Sequence, residues 1–327
     1  MAADQPVSVI IATYNRPDHL RRCLTQLEQQ SRPADQIIVV DASESGESER
    51  VVAEHPRVQY LRNNSGPGST ATSRAIGVRA AHGVIVAFLD DDAYPHADWL
   101  ENLLKPYEDA TVAAVGGRAL NGNPGEESVG IGEIGLLLPN GTLTGHFAAH
   151  PGKTVPVDHM LGANMSVRRS IIDELGGIHD YYPGTCLREE TDIALRIRGA
   201  GYHILFTPFA VVDHIPGPYA RGRRFDTRYK FYGTRNHVVL LSRTLGMSDP
   251  HLRRYIAREE MEILGDLRAA ASSPFDRSRP GVATKMRGVL GGVERALSKQ
   301  AGLVVGLTRS TVLRIRDGAV PAPTRFG

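Results

Sequence analysis

The stretch VSVIIATYNRPDHLRRCL, residues 7–24, decides the fold. Residues 7–12 form an apolar run of strand-forming residues, and apolar residues then recur at helical spacing. The recurring residues are Leu20, Cys23, Leu24 and Leu27. Pro17 suits the first turn of this helix, with Asn15 or Arg16 as its cap. A buried strand followed at once by an amphipathic helix is typical of a parallel α/β sheet.

The same alternation continues along the first half of the chain. Four more apolar runs bounded by turn residues or charges predict strands at 36–40, 58–61, 84–89 and 112–115. The segments between and after these runs predict helices at 48–54, 71–81 and 97–104. This order predicts an α/β fold with an open, mostly parallel, doubly wound sheet and helices on both faces.

The second half of the chain is less regular. After Gly117, Pro139-Asn140-Gly141 predicts a hairpin turn. Regular structure is expected again at 155–160, with helices at 169–175 and 190–198 and strands at 203–206 and 211–212. From about residue 225 the sequence is mostly helical and rich in arginine, with breaks at 272–274 and 279–281. We therefore predict an α/β domain over 1–224 and a C-terminal helical extension over 225–327.

Composition excludes several classes of protein. The 327 residues are 41% hydrophobic, which is ordinary for a globular chain. Two cysteines, Cys23 and Cys186, cannot build a disulfide framework or a four-ligand zinc site. The N-terminal apolar run lacks the basic flank of a secretory signal, and no stretch reaches the length of a spanning helix. We expect a cytoplasmic protein.

The charge is unevenly distributed, although the net charge is only +2. Residues 1–215 hold 17 basic and 27 acidic side chains, whereas residues 216–327 hold 21 basic and 9 acidic ones. Solvated helix faces explain the basic end best, and a membrane or another polyanionic surface is the alternative. The segment GLVVGLTRSTVLRIR, residues 302–316, could pack on the core, on a second copy in a homodimer, or peripherally on the inner face of a membrane.

Polar residues follow four of the predicted strands, where open α/β sheets bind ligands. They are Thr13-Tyr14-Asn15-Arg16-Pro17, Asp41, Asn63-Asn64-Ser65-Gly66 and Asp90-Asp91-Asp92. Three adjacent carboxylates repel one another unless a cation shares them, so the last group predicts an Mg²⁺ or Mn²⁺ site. A solvated acidic turn is the alternative. No glycine-rich phosphate loop follows any strand, which argues against a dehydrogenase or an ATPase.

Asp41 and Arg74 each have two interpretations. Asp41 could cap a helix or form a turn, or it could accept the N3–H of a uracil or thymine ring. Arg74 could be a solvated surface residue, or it could contact a phosphate at the same sheet edge.

A second acidic group lies in REETDIALRIRGAGY, residues 188–202. Glu189 and Asp192 share a helix face, and Glu190 points roughly 100° away from Glu189. These acids favour the helix start, but a partly desolvated glutamate could also accept a proton from a sugar hydroxyl. His214, after a predicted strand, is either a packing residue or a metal ligand.

Together these segments resemble glycosyltransferase family 2, whose catalytic domain has the GT-A fold. The resemblance covers about the first 215–240 residues and rests on seven ordered motifs. They are VSVIIATYNRPDHLRRCL, IIVVDAS, NNSGPGSTATSRAIGV, FLDDDAYPHADWL, GANMSVRR, EETDIALRIRGAGY and VVDH. The resemblance implies an inverting, hexosyltransferase-type enzyme that uses a nucleotide-sugar donor and a divalent metal.

The resemblance also implies roles for individual residues. The nucleotide pocket would be formed by Thr13, Tyr14, Asn15, Arg16, Asp41, Arg74, Asp90 and Asp91. The metal would be held by Asp92 and His214. The donor sugar and the acceptor would meet Gly162, Ala163, Asn164 and Asp192. Glu190 matches the catalytic base, but the pair Glu189-Glu190 departs from the family's usual pair, which leaves open which glutamate is the base.

The implied reaction is a single displacement in which the metal bridges the diphosphate and a glutamate deprotonates the acceptor hydroxyl. The acceptor would be a glycan, a lipid-linked molecule or a small molecule, and no nucleic-acid partner is expected. Two other functions compete, a nucleotidyltransferase and a non-catalytic module that binds nucleotide sugars. The first would need a triphosphate-binding loop after strand one, where this chain has ATYNRPD.

Overall fold

A nine-stranded sheet crosses the part of the chain that the computed structural model describes, which is residues 5–215, 226–275 and 282–318. The strands are β1 (Val7–Thr13), β2 (Gln36–Asp41), β3 (Val58–Arg62), β4 (Ile85–Asp90), β5 (Ala93–Pro95), β6 (Val112–Leu120), β7 (Val155–Pro156), β8 (Asn164–Arg168) and β9 (His203–His214). Their order is β3-β2-β1-β4-β8-β6-β9-β5, and β7 pairs with β9.

The strand directions confirm the predicted mostly parallel sheet. Strands β1 to β4 run parallel to one another, and β6 runs parallel to β9. Strand β8 is antiparallel to both β4 and β6, and β5 and β7 are antiparallel to β9. The parallel half brings the carboxyl ends of β1, β2 and β4 to one edge.

Helices cover both faces of the sheet, as predicted. They are α1 (Pro17–Glu28), α2 (Glu47–Ala53), α3 (Thr70–Ala80), α4 (Trp99–Leu104), α5 (Arg169–Glu174) and α6 (Glu189–Gly199). On one face, Leu20 and Trp99 share a buried apolar cluster with Ile11 of β1. On the other face, Val78 of α3 packs with Ile10. Adjacent strand residues point to opposite faces, so one short strand anchors both layers.

The sequence pattern missed part of the antiparallel half. Strands β5 and β8 were not predicted, and β9 is one strand of 12 residues rather than two short ones. The structure expected at 155–160 is reduced to the two residues of β7. The predicted hairpin turn is confirmed, because the Leu138 amide donates to the Thr142 carbonyl and Gly141 has a φ of 81°.

The C-terminal part is mostly helical, as predicted, and its described residues form three long helices. They are α7 (Thr227–Thr244), α8 (Pro250–Ser272) and α9 (Val282–Asp317). Helix α9 packs closely on α7 at Gly302, where an added Cβ would lie 2.8 Å from the Phe231 carbonyl oxygen. Helix α8 ends at Ser272, which confirms the predicted break there. The break at 279–281 and the domain boundary at 224–225 lie outside the described residues.

The helical part shares buried contacts with the α/β part. Val239 and Leu240 of α7 lie in one apolar cluster with Leu195 of α6 and Leu313 of α9. His237 of α7 also lies 2.7 Å from the Gly141 carbonyl in the hairpin turn. Among the described helices, none is both long enough and apolar enough to cross a bilayer.

Candidate functional site

The register of three parallel strands brings the first polar residues together at one sheet edge. Thr13 of β1 lies opposite Asp41 of β2, and Ala12 lies opposite Asp90 of β4. Beside them, Tyr14 is half-buried and Asn15 is exposed. Asn15 has a φ of 52°, and its amide donates to the Ser43 hydroxyl at 2.7 Å. The predicted convergence at the ends of β1, β2 and β4 is therefore present.

Asp90, Asp92 and His214 form a group that could hold a metal ion. Their ligand atoms all lie within 4.8 Å of one another. Strand β5 creates this group, because its antiparallel pairing with β9 sets Ala93 opposite His214. The His214 Nε2 atom then lies 3.5 Å from a carboxylate oxygen of Asp92. Asp92 and His214 were predicted as metal ligands, and the structure adds Asp90 to them.

This donor set suits the predicted metals. Carboxylate oxygens are the ligands that Mg²⁺ and Mn²⁺ prefer, and an imidazole nitrogen is more typical of transition metals such as Mn²⁺. Asp92 is 4% exposed, whereas the side chain of Asp90 is 34% exposed. An ion bound here would therefore be held by a buried carboxylate and still face the solvent side of the edge.

Asp91 is turned into the protein. It accepts the Thr13 hydroxyl at 2.7 Å and an Arg16 guanidinium nitrogen at 3.1 Å. The same nitrogen of Arg16 lies 2.8 Å from Asp92. Burial raises the pKa of Asp91 to about 7, although Arg16 opposes that shift. Asp91 is 3% exposed and Thr13 is 4% exposed, so a ribose would reach Arg16 more easily than either of them.

Asp41 is fully buried and has several partners within the protein. One of its oxygens accepts the Ser43 amide at 2.8 Å and also the Ser43 hydroxyl. The other oxygen accepts the Tyr60 hydroxyl at 3.0 Å and lies 3.4 Å from Arg62. The turn-forming interpretation of Asp41 is confirmed. Recognition of a base by Asp41 stays a prediction, and it would require Arg62 or Tyr60 to move. The sequence pattern at 37–43 did not predict that Tyr60 and Arg62 would contact Asp41.

Arg74 is the centre of the site rather than a surface residue. It is 3% exposed, so its interpretation as a solvated side chain was wrong. Its guanidinium pairs with Glu189, donates to Asp90 at 3.0 Å and donates to the Gly162 carbonyl at 2.8 Å. Burial opposes the charge, yet Glu189 and Asp90 hold the pKa of Arg74 above its usual value. Arg74 therefore links α3 to the end of β4 and to the start of α6.

The two adjacent glutamates of α6 have different surroundings. Glu189 is 4% exposed and pairs with Arg74. Glu190 is only partly buried, and its carboxylate has no side-chain partner among the described residues. Burial raises the pKa of both carboxyl groups, and Arg74 opposes the shift at each. Of the two, Glu190 is the one that a second substrate could reach.

Two residues that were expected to contact the sugar instead form buried hydrogen bonds within the protein. Asn164 is completely buried, accepts the Trp99 indole N–H at 2.8 Å and donates to the carbonyls of residues 118 and 210. Asp192 is 1% exposed and accepts the Tyr182 hydroxyl and the Arg196 Nε–H, both at 2.6 Å. A sugar could reach neither side chain without breaking these bonds. The structure corrects both expectations, because these side chains hold the fold.

The neighbouring positions of the same motif lie close to Arg74. Ala163 is 1% exposed, which leaves little of it for a ligand to touch. Gly162 is buried, and an added Cβ would lie 2.8 Å from both terminal nitrogens of Arg74. A glycine is therefore needed at 162 for the guanidinium to reach its carbonyl oxygen.

A cavity of about 490 Å³, not predicted from the sequence, opens between the α/β part and the C-terminal helices. Its lining includes Ser65 and Ser69 before α3, Tyr181 before α6, and Arg235 and Arg309 from the C-terminal helices. Burial lowers the pKa of Arg235, and Arg309 adds to that shift. The lining also includes Asp180, so its two arginines leave it with a net positive charge, which would favour an anionic group. The sequence gives no signal for this cavity, because helices far apart in the chain build it.

The sheet, the helices on both faces and the acidic edge define a GT-A fold, the fold of a large class of glycosyltransferases. The model of the family "Glycosyl transferase family 2" matches residues 8–176. The chain therefore belongs to glycosyltransferase family 2, as the resemblance implied.

A curated relative is similar to this chain in sequence, and two solved structures share its fold. The chain is 31% identical over 209 residues to the pre-mycofactocin glycosyltransferase of Mycobacterium tuberculosis, covering 64% of this chain and 42% of that protein. It thus spans less than half the length of that relative. Among solved structures, the mannosyltransferase of Pyrobaculum calidifontis in complex with GDP-Man and Mn²⁺ has a TM-score of 0.58 at 19% identity, covering 96% of this chain and 88% of that one. GalNAc-T7 with UDP, GalNAc and Mn²⁺ has the same TM-score at 17% identity, covering 86% and 54%.

Proposed function

We propose that this chain transfers a sugar from a nucleotide diphosphate donor to an acceptor hydroxyl, with inversion at the anomeric carbon. The observation that carries the proposal is the arrangement around Arg74, which contacts a carboxylate of the candidate metal group and the start of the helix that bears Glu190. A donor diphosphate and an attacking hydroxyl could meet between these two groups.

The donor would bind at the carboxyl ends of β1, β2 and β4. The nucleotide would lie beside Thr13, Tyr14 and Arg16, with its base towards Asp41. We infer a UDP-, dTDP- or GDP-sugar, because the two structural neighbours contain UDP or GDP-Man. Which nucleobase binds depends on whether Arg62 moves away from its position beside Asp41.

Asp90, Asp92 and His214 would hold Mg²⁺ or Mn²⁺. When bound, such an ion offsets the negative charge that develops on a leaving nucleotide diphosphate. Arg16 and Thr13 keep Asp91 and Asp92 in place at the end of β4. Mn²⁺ in both structural neighbours supports this part of the proposal.

Glu190 would accept the proton of the acceptor hydroxyl. The residue as a whole is partly exposed, and burial raises the pKa of its carboxyl group, which makes it a stronger base than an ordinary glutamate. Glu189 would instead position the helix start through Arg74. For the role that the sequence left open between the two, we therefore propose Glu190.

The acceptor would approach from the side of the cavity that contains Arg235 and Arg309. A glycan, a lipid-linked acceptor or a small molecule all remain candidates, and an acceptor with a phosphate or carboxylate group would suit the two arginines best. We propose that the protein acts on its nucleotide-sugar substrate in the cytoplasm.

A thermal-shift screen of nucleotide diphosphates and nucleotide sugars, with and without Mn²⁺, tests the proposal. At 100 times its dissociation constant a ligand adds about 2.7 kcal/mol, which should raise the Tm by roughly 5 °C. The Asp92→Asn variant should lose the Mn²⁺-dependent part of this shift. Glu108→Gln, an exposed carboxylate-to-amide change, should keep it.

The same samples then test transfer. When the protein is incubated with the stabilising nucleotide sugar and water is the acceptor, it should release the nucleoside diphosphate slowly. Release of pyrophosphate from a sugar phosphate and a nucleoside triphosphate would instead indicate a nucleotidyltransferase. Binding without any release, with or without candidate acceptors, would reject the catalytic proposal.

A further inference from the structure

One side of α9 carries an apolar stripe that faces away from the protein. The stripe consists of Val282, Met286, Leu290, Leu297, Val304 and Ile315, which are 53–81% exposed. At about 3.6 residues per turn, these six positions fall within roughly 80° of the helix circumference. The stripe runs from Val282 to Ile315, which is about 50 Å of helix.

The packed side of α9 lies opposite to this stripe. Leu303 and Leu313 are 3% and 0% exposed, and Gly292 and Gly306 lie against α8 and α7. The stripe is therefore not needed to hold α9 in the fold. A helix that is apolar on a second, outward side has more apolar surface than its own protein covers.

Basic side chains border the stripe. Arg287 and Arg314 are exposed and have no ion pair with any described residue, and Arg316 next to Ile315 pairs with Asp317. Helix α9 as a whole contains seven Lys and Arg against two acidic residues, of which Glu294 is the one near the stripe. An apolar stripe between rims of arginine is typical of helices that lie in the interface of a membrane.

We propose that the α9 stripe seats this protein on an anionic lipid surface, with α9 parallel to the bilayer. The apolar side chains would enter the boundary between headgroups and acyl chains, and the arginines would contact lipid phosphates. A second copy of the chain fits this surface less well, because antiparallel pairing of two stripes would bring basic rims together. The inference does not depend on the proposed catalysis, since it concerns a different face of the molecule.

Co-sedimentation of the full chain with vesicles tests the proposal. Wild type should bind vesicles that contain about 30% phosphatidylglycerol at about 0.1 M salt. The Leu290→Gln/Leu297→Gln variant should lower the partition coefficient about 10-fold or more, because each leucine contributes apolar burial. The matched control Val129→Gln/Ile131→Gln changes two apolar residues of similar exposure in the α/β part and should bind like wild type.

A second variant tests the charge. Each basic residue near an anionic surface contributes about 1 kcal/mol, a factor of about 5, so Arg287→Gln/Arg314→Gln should weaken binding about 25-fold. The same variant should bind phosphatidylcholine vesicles as wild type does. Because both arginines are exposed, this test stands even if the leucine variant lowers the Tm.

Two results would overturn the proposal. The first is wild type that stays in the supernatant with anionic vesicles, or variants that all bind equally well. The second is a wild-type dimer in analytical ultracentrifugation that Leu290→Gln/Leu297→Gln converts to a monomer without any lipid binding by wild type, which would assign the stripe to a subunit contact.

Discussion

The paired variants Glu190→Gln and Glu189→Gln should fail in different ways. Glu190 is partly exposed and has no side-chain partner among the described residues, so an amide there should leave the fold unchanged. Glu189 is buried against Arg74, so an amide there removes one partner of a buried ion pair. One change should remove a base, and the other should destabilise the start of α6.

The two magnitudes follow from these contacts. Loss of a general base lowers turnover by about 10²- to 10⁴-fold, and we expect at least 10²-fold for Glu190→Gln, with a Tm within about 1 °C of wild type. Breaking a buried ion pair costs about 3–5 kcal/mol, but Arg74 keeps Asp90 and the Gly162 carbonyl. About 3 kcal/mol is therefore the better figure for Glu189→Gln, which corresponds to a fall in Tm of roughly 6 °C.

The pH dependence of turnover should support the same assignment. Burial raises the pKa of Glu190, and the proton-accepting form exists above that pKa. The wild-type rate should therefore rise with pH through a value above the ordinary glutamate range, and this limb should be absent in Glu190→Gln.

The assay is release of nucleoside diphosphate from the donor that the thermal-shift screen identifies, alongside thermal unfolding of each variant. Glu108→Gln controls for the chemical change and should match wild type in both measurements. Turnover of Glu190→Gln within threefold of wild type would refute the reasoning. So would a Glu189→Gln variant with a wild-type Tm and a 10²-fold loss of turnover, because the base would then be the buried glutamate.

Three further predictions concern the residues that support the site. Gly162→Ala should displace the Arg74 guanidinium and cost about 1–3 kcal/mol, measured by urea unfolding. Asn164→Leu should cost about 3 kcal/mol or more in the same measurement, because it leaves the Trp99 indole N–H and two carbonyls without their buried partner. For Asp192, burial works to raise the pKa, but Arg196, His179 and Tyr182 together outweigh it and the pKa falls to about 2. Its stabilising effect of about 2.5 kcal/mol is present above the unfolded pKa of about 3.9 and is mostly lost when the pH reaches 2, so Asp192→Asn should be less stable than wild type at pH 6, and the difference should be much smaller at pH 2.

The parallel half of the fold could be predicted because its signals are local. Residues 7–24 contain a complete strand and helix, and the acidic triplet follows its strand directly. Strand β8 was missed although Ser166 and Arg168 alternate with its apolar residues, because it has only 5 residues and its polar side chains need partners that are distant in the chain. Their partners are the Tyr107 hydroxyl and the carbonyl of Val112, more than 50 positions away in the chain. Only the assembled fold satisfies these polar groups.

The candidate site, like the fold, could be predicted from the sequence only in part. That polar residues meet at the strand ends follows from the parallel register, and the sequence predicted it. Which of them face a ligand depends on partners that are distant in sequence. Arg74 pairs with Glu189, 115 positions away, and this pairing separates the buried glutamate from the accessible one. Helical periodicity set the two glutamates about 100° apart, but only the packing of α6 decides which one is covered.

The charges around this edge also give a reason for a cation there. Asp90, Asp91, Asp92, Glu189 and Glu190 lie around two guanidiniums, those of Arg16 and Arg74. Five carboxylates and two guanidiniums leave an excess of negative charge in a mostly buried region, and burial already raises the pKa of Asp91 to about 7. Protonation of Asp91 can relieve part of this excess even near neutral pH, whereas a divalent cation shared by Asp90, Asp92 and His214 would relieve it while the carboxylates stay ionised. Because Arg74 contacts both Asp90 and Glu189, charge neutralised at the metal group also changes the balance around the proposed base. The metal group and the base are therefore coupled electrostatically through one buried arginine.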